Sequence, residues 1–126
     1  MMAFNIFGQE LAACCFAPRT GFFRDGFCRT NQADLGSHVL CAQVTAEFLA
    51  FTLSQGNDLS TPRPEWDFPG LVPGDFWCLC ALRWLAAEQA GVAPLLKLSA
   101  CHQRALEFAP LELYQRYAVM EDANDL

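Results

Sequence analysis

Apolar and polar positions alternate along the chain in a way that predicts three strand–helix units. In each unit a short apolar run, typical of a buried strand, is followed by an amphipathic stretch typical of a helix. The paired stretches are residues 38–44 and 45–55, 76–81 and 82–90, and 95–99 and 100–109. Thr45 suits a helix N-cap and Gly56 a helix C-terminus. A fourth amphipathic stretch, residues 111–120, predicts a last helix.

Three strand–helix units predict an α+β fold in which helices pack on a small mixed sheet. Two irregular stretches interrupt the pattern. The first covers about residues 7–37, and its Asp25-Gly26 pair is compatible with a hairpin turn. The second, residues 54–75, is a Pro- and Gly-rich loop between the first two units. A loop of this length either carries a functional site or forms a stiff cover over the sheet.

Length and charge narrow the functional classes. A chain of 126 residues is expected to form a single domain over residues 1–126, with a flexible acidic tail at about 120–126. The net charge is −6 and basic residues form no block, which argues against nucleic acid as a partner. No apolar run approaches the ~18 residues of a membrane helix, so no membrane association is expected. A small molecule or another protein remains as the partner.

Cysteine is the most distinctive residue type in this sequence. There are seven cysteines, an odd number, and no secretion signal accompanies them. Both observations predict free thiols in a reducing compartment rather than a disulfide framework, and therefore a cytoplasmic protein.

Cys78 and Cys80 form the sharpest local motif. If their segment is a strand, the two side chains point to one face, with their Cα atoms roughly 6.6 Å apart. Two thiols placed in this way suit a soft metal or disulfide exchange. The structural interpretation is that both are buried and pack as small apolar residues.

A composite metal or thiol site is conceivable if the fold gathers cysteines and histidines from separate segments. Zinc or iron would be the candidate metal, although no Cys-x-x-Cys spacing is present. His38 and Cys41 lie three residues apart, so they face opposite sides of a regular strand unless the strand bulges. In an enzyme, a histidine near a thiol would generate a nucleophilic thiolate. The candidate residues are Cys28, Cys41, Cys78, Cys80, His38 and His102.

The loop after Gly56 offers a second, polar candidate site. Its turn-forming residues are expected first to shape the exit from the preceding helix. They could equally hold a polar ligand, because an arginine fork binds carboxylate or phosphate through two hydrogen bonds. The candidate ligand-binding residues are Asn57, Asp58, Arg63 and Glu65.

Five sequence blocks resemble those of a small, mainly bacterial family that carries only a domain-of-unknown-function label. The resemblance spans about residues 5–117 and implies a stand-alone domain, with no activity assigned. The family pattern has a second cysteine before Cys28, where this chain has Phe27, and Cys15 and Cys101 fall outside the pattern. The blocks are residues 20–26, 36–38, 56–62, 68–71 and 73–81.

The leading functional hypothesis is a small soluble binding or thiol-dependent protein. Its site would combine the Cys/His positions with the loop at residues 56–75. One alternative is an enzyme that uses a cysteine nucleophile or a bound metal. A second alternative is a protein-interaction module without a small-molecule site.

Overall fold

The computed structural model describes residues 3–120, and the predicted acidic tail beyond Met120 lies outside the described residues. The α+β class is confirmed. Six helices and strands follow one another in this part of the chain. They are β1 (His38–Gln43), α1 (Ala46–Ser54), β2 (Phe76–Cys80), α2 (Ala81–Gln89), β3 (Leu95–Leu96) and α3 (Leu111–Gln115).

The three strands form one sheet in the order β2-β1-β3. Both pairings are antiparallel, so the prediction of a mixed sheet is wrong for these strands. Parallel pairing in the described residues is limited to an isolated bridge between Leu96 and Ala118. Between β1 and β2 the chain passes through α1 and the long loop and returns in the opposite direction.

The first two strand–helix units follow their local sequence signals. The Thr45 hydroxyl accepts the Phe48 N–H at 3.0 Å, which caps α1 as predicted. Gly56 has φ +88°, the left-handed conformation that glycine adopts just beyond a helix C-terminus. α2 follows β2 directly, with Cys80 in its N-cap position.

The third unit departs from prediction. The helix expected over residues 100–109 is replaced by two 3₁₀ turns, Leu98–Ala100 and Gln103–Glu107. Backbone groups that a helix would use internally bond the N-terminal segment instead. The Ile6 N–H donates to the Cys101 carbonyl at 2.9 Å, and the Gln103 N–H donates to the Phe4 carbonyl at 3.0 Å. The last helix is also shorter than predicted, because α3 ends at Gln115.

The core lies between the sheet and the helices. Trp84 of α2 and Tyr114 of α3 are fully buried, with ring centroids 5.6 Å apart. The polar group of each side chain donates a hydrogen bond to a backbone carbonyl. The Trp84 Nε1–H donates to the Pro94 carbonyl at 3.0 Å, and the Tyr114 hydroxyl donates to the Ala105 carbonyl at 2.7 Å. The longest described helices have nine residues, and none is a candidate to cross a lipid bilayer.

The segment before β1 is irregular but firmly attached to the sheet. Within the described residues the Asp25-Gly26 turn does not join two strands, so the hairpin with which this pair is compatible does not form. The segment instead folds back on itself, with the Gly26 carbonyl accepting the Cys14 N–H at 2.8 Å. It covers the edge of β2, where the buried Thr20 hydroxyl accepts the Cys78 N–H at 2.8 Å.

Candidate functional site

Two disulfides connect the irregular N-terminal segment to the sheet. Cys14 is bonded to Cys41 and Cys28 to Cys78, with Cα–Cα distances of 5.6 and 5.4 Å. The expectation that all seven cysteines are free thiols is therefore wrong for these four. An odd number of cysteines argues against disulfides at the level of the sequence. In the fold, four cysteines form two disulfides and the other three take no part in them.

The three cysteines outside the disulfides differ in exposure. Cys101 is buried, and its Sγ lies 3.4 Å from the Lys97 carbonyl oxygen. Cys15 and Cys80 are partly exposed. The predicted strand around Cys78 and Cys80 is confirmed as β2, but Cys78 is held in a disulfide and only Cys80 keeps its thiol.

A bulge in β1 places His38 on the same face of the sheet as the strand cysteines Cys41, Cys78 and Cys80. The register pairs Cys41 with Cys78 and His38 with Cys80, with one extra residue in β1 between these pairs. Paired residues of an antiparallel ladder share a face, as do residues two apart in a strand. The bulge therefore aligns His38 with Cys41, which a regular strand would have placed on opposite faces.

A cavity of about 610 Å³ opens beside β2. Residues from three regions line it: the turn at 21–24, the paired strands, and the first part of the loop at 56–75. Its apolar walls include Phe22, Phe68, Trp66 and Trp77. Among the described residues, its polar lining side chains are Arg24, His38, Asn57, Asp58 and Arg63.

The two arginines of the cavity each lie beside a tryptophan ring. The Arg24 guanidinium carbon is 5.1 Å from the Trp77 ring centroid, and the Arg63 carbon is 5.9 Å from that of Trp66. Both distances suit a cation–π interaction. Arg24 also donates from Nη1 to the Gly21 carbonyl at 2.8 Å, which fixes its side chain. The guanidinium groups retain further N–H donors for an anion.

His38 is oriented by a buried carboxylate. Its Nδ1 lies 2.6 Å from Asp34 Oδ1, and the Asp34 side chain has no solvent exposure, whereas that of His38 is 39% exposed. The other oxygen of Asp34 accepts the His38 N–H at 2.8 Å and the Thr30 hydroxyl at 2.9 Å. Because Nδ1 contacts Asp34, Nε2 is the ring nitrogen that can form a hydrogen bond with a ligand.

The environment of Asp34 favours its ionised form. Burial alone would raise the pKa of this carboxyl, but the hydrogen bonds from the His38 backbone, the His38 ring and Thr30 together lower it below its usual value. Asp34 therefore stays negative at neutral pH and holds the His38 ring by a charge-assisted hydrogen bond.

Strained backbone is concentrated around the cavity. Within residues 3–120, three residues other than glycine have positive φ: Arg24 at 55°, Ser37 at 51° and Asp67 at 53°. Arg24 lines the cavity, Ser37 precedes His38, and Asp67 lies between the lining residues Trp66 and Phe68. Such conformations are unfavourable and cluster at functional sites, where the surrounding structure maintains them.

The predicted polar loop is partly in the cavity. Asn57, Asp58 and Arg63 line it, but Glu65 does not. Asp58 also forms the expected turn, because its Oδ1 accepts the Ser60 and Thr61 N–H groups at 2.9 and 3.1 Å. Hydrogen bonds from the Thr61 side chain and from these backbone groups lower the pKa of Asp58.

The structure brings together only part of the predicted cysteine–histidine set: Cys28, Cys41 and Cys78 lie in the two disulfides, and the other three candidates lie outside them. His38 and Cys78 line the cavity, whereas Cys28, Cys41, Cys80 and His102 do not. Cys80 lies opposite His38 in the ladder, but within the described residues no hydrogen bond joins their side chains.

His102 caps a 3₁₀ turn. Its Nδ1 accepts the Arg104 N–H at 3.0 Å, which requires an unprotonated Nδ1. Burial and the nearby Arg104 charge lower its pKa, and the nearby Glu107 only partly opposes them. The role of His102 in this structure is therefore that of a cap at the turn Gln103–Glu107.

The residues that sequence reasoning missed are those that orient or flank the candidates. Asp34 was absent from the predicted site, as were Phe22, Trp66 and Trp77. The available signal was the spacing of Asp34 four residues before His38, across a Gly-containing turn. Gly36 permits that turn, because a Cβ there would lie 2.9 Å from Cε1 of the His38 ring.

Comparison with known proteins supports the family resemblance. No curated protein matches the chain. The family described as an uncharacterized protein conserved in bacteria, DUF2237, matches residues 4–118, which include every residue of the cavity and of both disulfides. A match over this share of the sequence shows that the chain belongs to the DUF2237 family.

Proposed function

We propose that this protein binds a small anionic ligand with a flat apolar portion in the cavity beside β2. The observation that carries the proposal is the placement of Arg24 and Arg63 in one cavity, each beside a tryptophan. Guanidinium groups recognise carboxylate and phosphate through paired hydrogen bonds. The aromatic walls favour a flat group on the same ligand.

The size and polarity of the cavity agree with this class of ligand. A volume of about 610 Å³ lies in the usual range for small-molecule sites. His38 offers a third polar contact from the β1 side, and Asn57 offers an amide from the loop. Among the described lining residues Asp58 is the one carboxylate, so the two arginines outweigh it in local charge.

A titration with matched probes tests the proposal. Phenyl phosphate and benzoate combine an anion with a ring, inorganic phosphate has only the anion, and benzyl alcohol only the ring. We expect isothermal calorimetry to detect the ring-bearing anions most strongly. Arg24→Gln should weaken their binding at least ~10-fold, consistent with loss of one charge-assisted contact. Arg116→Gln, outside the cavity, is the matched control.

The outcome that contradicts the proposal is equally specific. If benzyl alcohol binds as well as benzoate, or if Arg116→Gln weakens binding as much as Arg24→Gln, the cavity does not select an anion. If none of the four probes binds, the interaction-module hypothesis gains support.

The Asp34–His38 pair favours a second candidate, an enzyme that uses His38 as a general base. A carboxylate that orients an imidazole from behind is a recurrent device for proton abstraction. Cys80 would be the nucleophile in the cysteine version, but it does not line the cavity. A base acting on water or on a substrate hydroxyl therefore fits better. Hydrolysis of nitrophenyl esters and phosphates that is lost in His38→Gln and reduced in Asp34→Asn would support this candidate, whereas no turnover above buffer would oppose it.

A further inference from the structure

The two disulfides lie next to each other. The Sγ atoms of Cys14, Cys28 and Cys78 all lie within 4.8 Å of one another, and the fourth sulfur, that of Cys41, is bonded to Cys14. All four residues are buried, with at most 7% exposure. Four sulfurs from two paired strand positions and two points of the N-terminal segment thus meet in one place.

Such a cluster has the composition of a structural zinc site. Zinc in a tetrahedron of four thiolates has Zn–S distances of about 2.3 Å, which places the sulfurs about 3.8 Å apart. Cys28 and Cys78 are bonded to each other, and both of their sulfurs lie within 4.8 Å of that of Cys14, so after reduction the three sulfurs are within reach of one ion. The ladder pairing of Cys41 with Cys78 brings the two disulfides together. Each disulfide requires only its own two sulfurs to be close, whereas a metal ion would use all four.

We propose that the reduced form of Cys14, Cys28, Cys41 and Cys78 binds one soft divalent metal ion of the zinc class. The two disulfides are then the oxidised, metal-free state of the same site. Cys78 also lines the ligand cavity, but the inference does not depend on the proposed function, because metal binding by the four sulfurs requires no bound small molecule.

A phosphine can serve as the reductant that converts the two disulfides into the four thiols of the metal-binding state. Each disulfide accepts two electrons from one phosphine, which takes the oxygen of a water molecule and becomes a phosphine oxide. The two protons of that water go to the two new thiols. Binding of one zinc ion to four thiols then releases four protons, because thiolates are the ligands.

Metal titration of the reduced and oxidised wild-type protein is the first experiment. We expect the phosphine-reduced protein to bind one zinc ion per chain and the oxidised protein to bind none. Cobalt(II) should give sulfur-to-metal charge-transfer bands and the visible bands of a tetrahedral ion. The thermal midpoint of the reduced protein should rise on addition of zinc, because metal binding stabilises the state that binds it.

Adjacent cysteines supply a matched pair of variants. Cys14→Ser removes a ligand and should abolish stoichiometric binding, whereas Cys15→Ser should retain it. If Cys14→Ser does not fold, the cobalt spectrum of the reduced wild type still decides. A reduced wild type that binds no zinc, or a Cys15→Ser variant that loses binding, would overturn the proposal and leave two ordinary disulfides.

Discussion

Removal of the Cys28–Cys78 disulfide should cause the larger loss of stability of the two bonds. This bond joins residues 50 apart in sequence, whereas Cys14–Cys41 joins residues 27 apart. The chain-entropy relation assigns about 4.1 kcal/mol to a loop of 50 residues and about 3.6 kcal/mol to one of 27. Replacing Cys28 and Cys78 together by alanine should lower the free energy of unfolding by about 4 kcal/mol.

The two losses should not add in a variant that lacks both bonds. The order of the cysteines along the chain is 14, 28, 41, 78, so the two closed loops overlap between Cys28 and Cys41. With one bond in place, the second closes a shorter effective loop and restricts the unfolded chain less. The four-alanine variant should therefore lose less than the sum of about 7.7 kcal/mol that the same relation gives.

Urea unfolding under non-reducing conditions provides the measurement. The buried Trp84 reports unfolding through its fluorescence. Cys15→Ala is the control, and we expect it to change stability by about 0.5 kcal/mol or less, since Cys15 is outside both disulfides. A phosphine should lower the midpoint of the wild type and leave the four-alanine variant unchanged.

One result would refute this reasoning. If the phosphine leaves the wild-type midpoint unchanged and the Cys28/Cys78 double variant is as stable as Cys15→Ala, the bond contributes nothing in solution. The expectation of seven free thiols would then be restored.

Three further predictions concern the histidines and their partners. Gly36→Ala should displace the His38 ring and weaken binding of anionic probes by calorimetry, with the fold retained by circular dichroism. Asp34 contributes stability above about pH 3.8 that is lost as the pH falls through its lowered folded-state pKa. Asp34→Asn should therefore cost about 1–3 kcal/mol at pH 7 in urea unfolding and flatten the acid side of the stability profile. Because the pKa of His102 is lowered from 6.5, the folded chain binds fewer protons there, and stability should fall as the pH drops below that value. His102→Asn keeps an acceptor for the Arg104 N–H and should make unfolding less dependent on pH between 7 and 5; an unchanged slope would contradict this role.

Local signals sufficed for the first two strand–helix units. The side chain of Thr45 caps α1 through a hydrogen bond three residues away, and the apolar runs at β1 and β2 pair with each other. These features depend on neighbours in sequence or on continuous apolar runs, so local sequence is enough to predict the elements.

The third unit failed because distant backbone decided it. Residues 100–109 have the composition of a helix, yet Phe4 and Ile6 bond the backbone at Cys101 and Gln103. Partners nearly one hundred residues away leave no trace in a local pattern. The predicted helix therefore does not form, because these long-range backbone hydrogen bonds replace those within a helix.

The candidate site was predictable only in part for the same reason. Asn57, Asp58 and Arg63 were identified as polar residues of a turn-rich loop, and His38 as a candidate metal ligand or thiol partner. Their convergence with Arg24 and the tryptophans depends on how the segment before β1 folds over the edge of β2. The disulfide pairing was equally hidden, since spacing alone does not select partners among seven cysteines.

The single extra residue in β1 has a consequence for how this chain can vary. Because Val39 is the extra residue of the bulge, His38 and Cys41 lie on the same face of β1 although they are three residues apart. Deleting that residue would leave His38 two positions before Cys41, the spacing that keeps both side chains on one face of a regular strand and His38 opposite Cys80. Loss of Val39 together with its bulge should therefore keep the imidazole on the cavity side, whereas one further residue inserted into β1 without a second bulge would turn it to the opposite face.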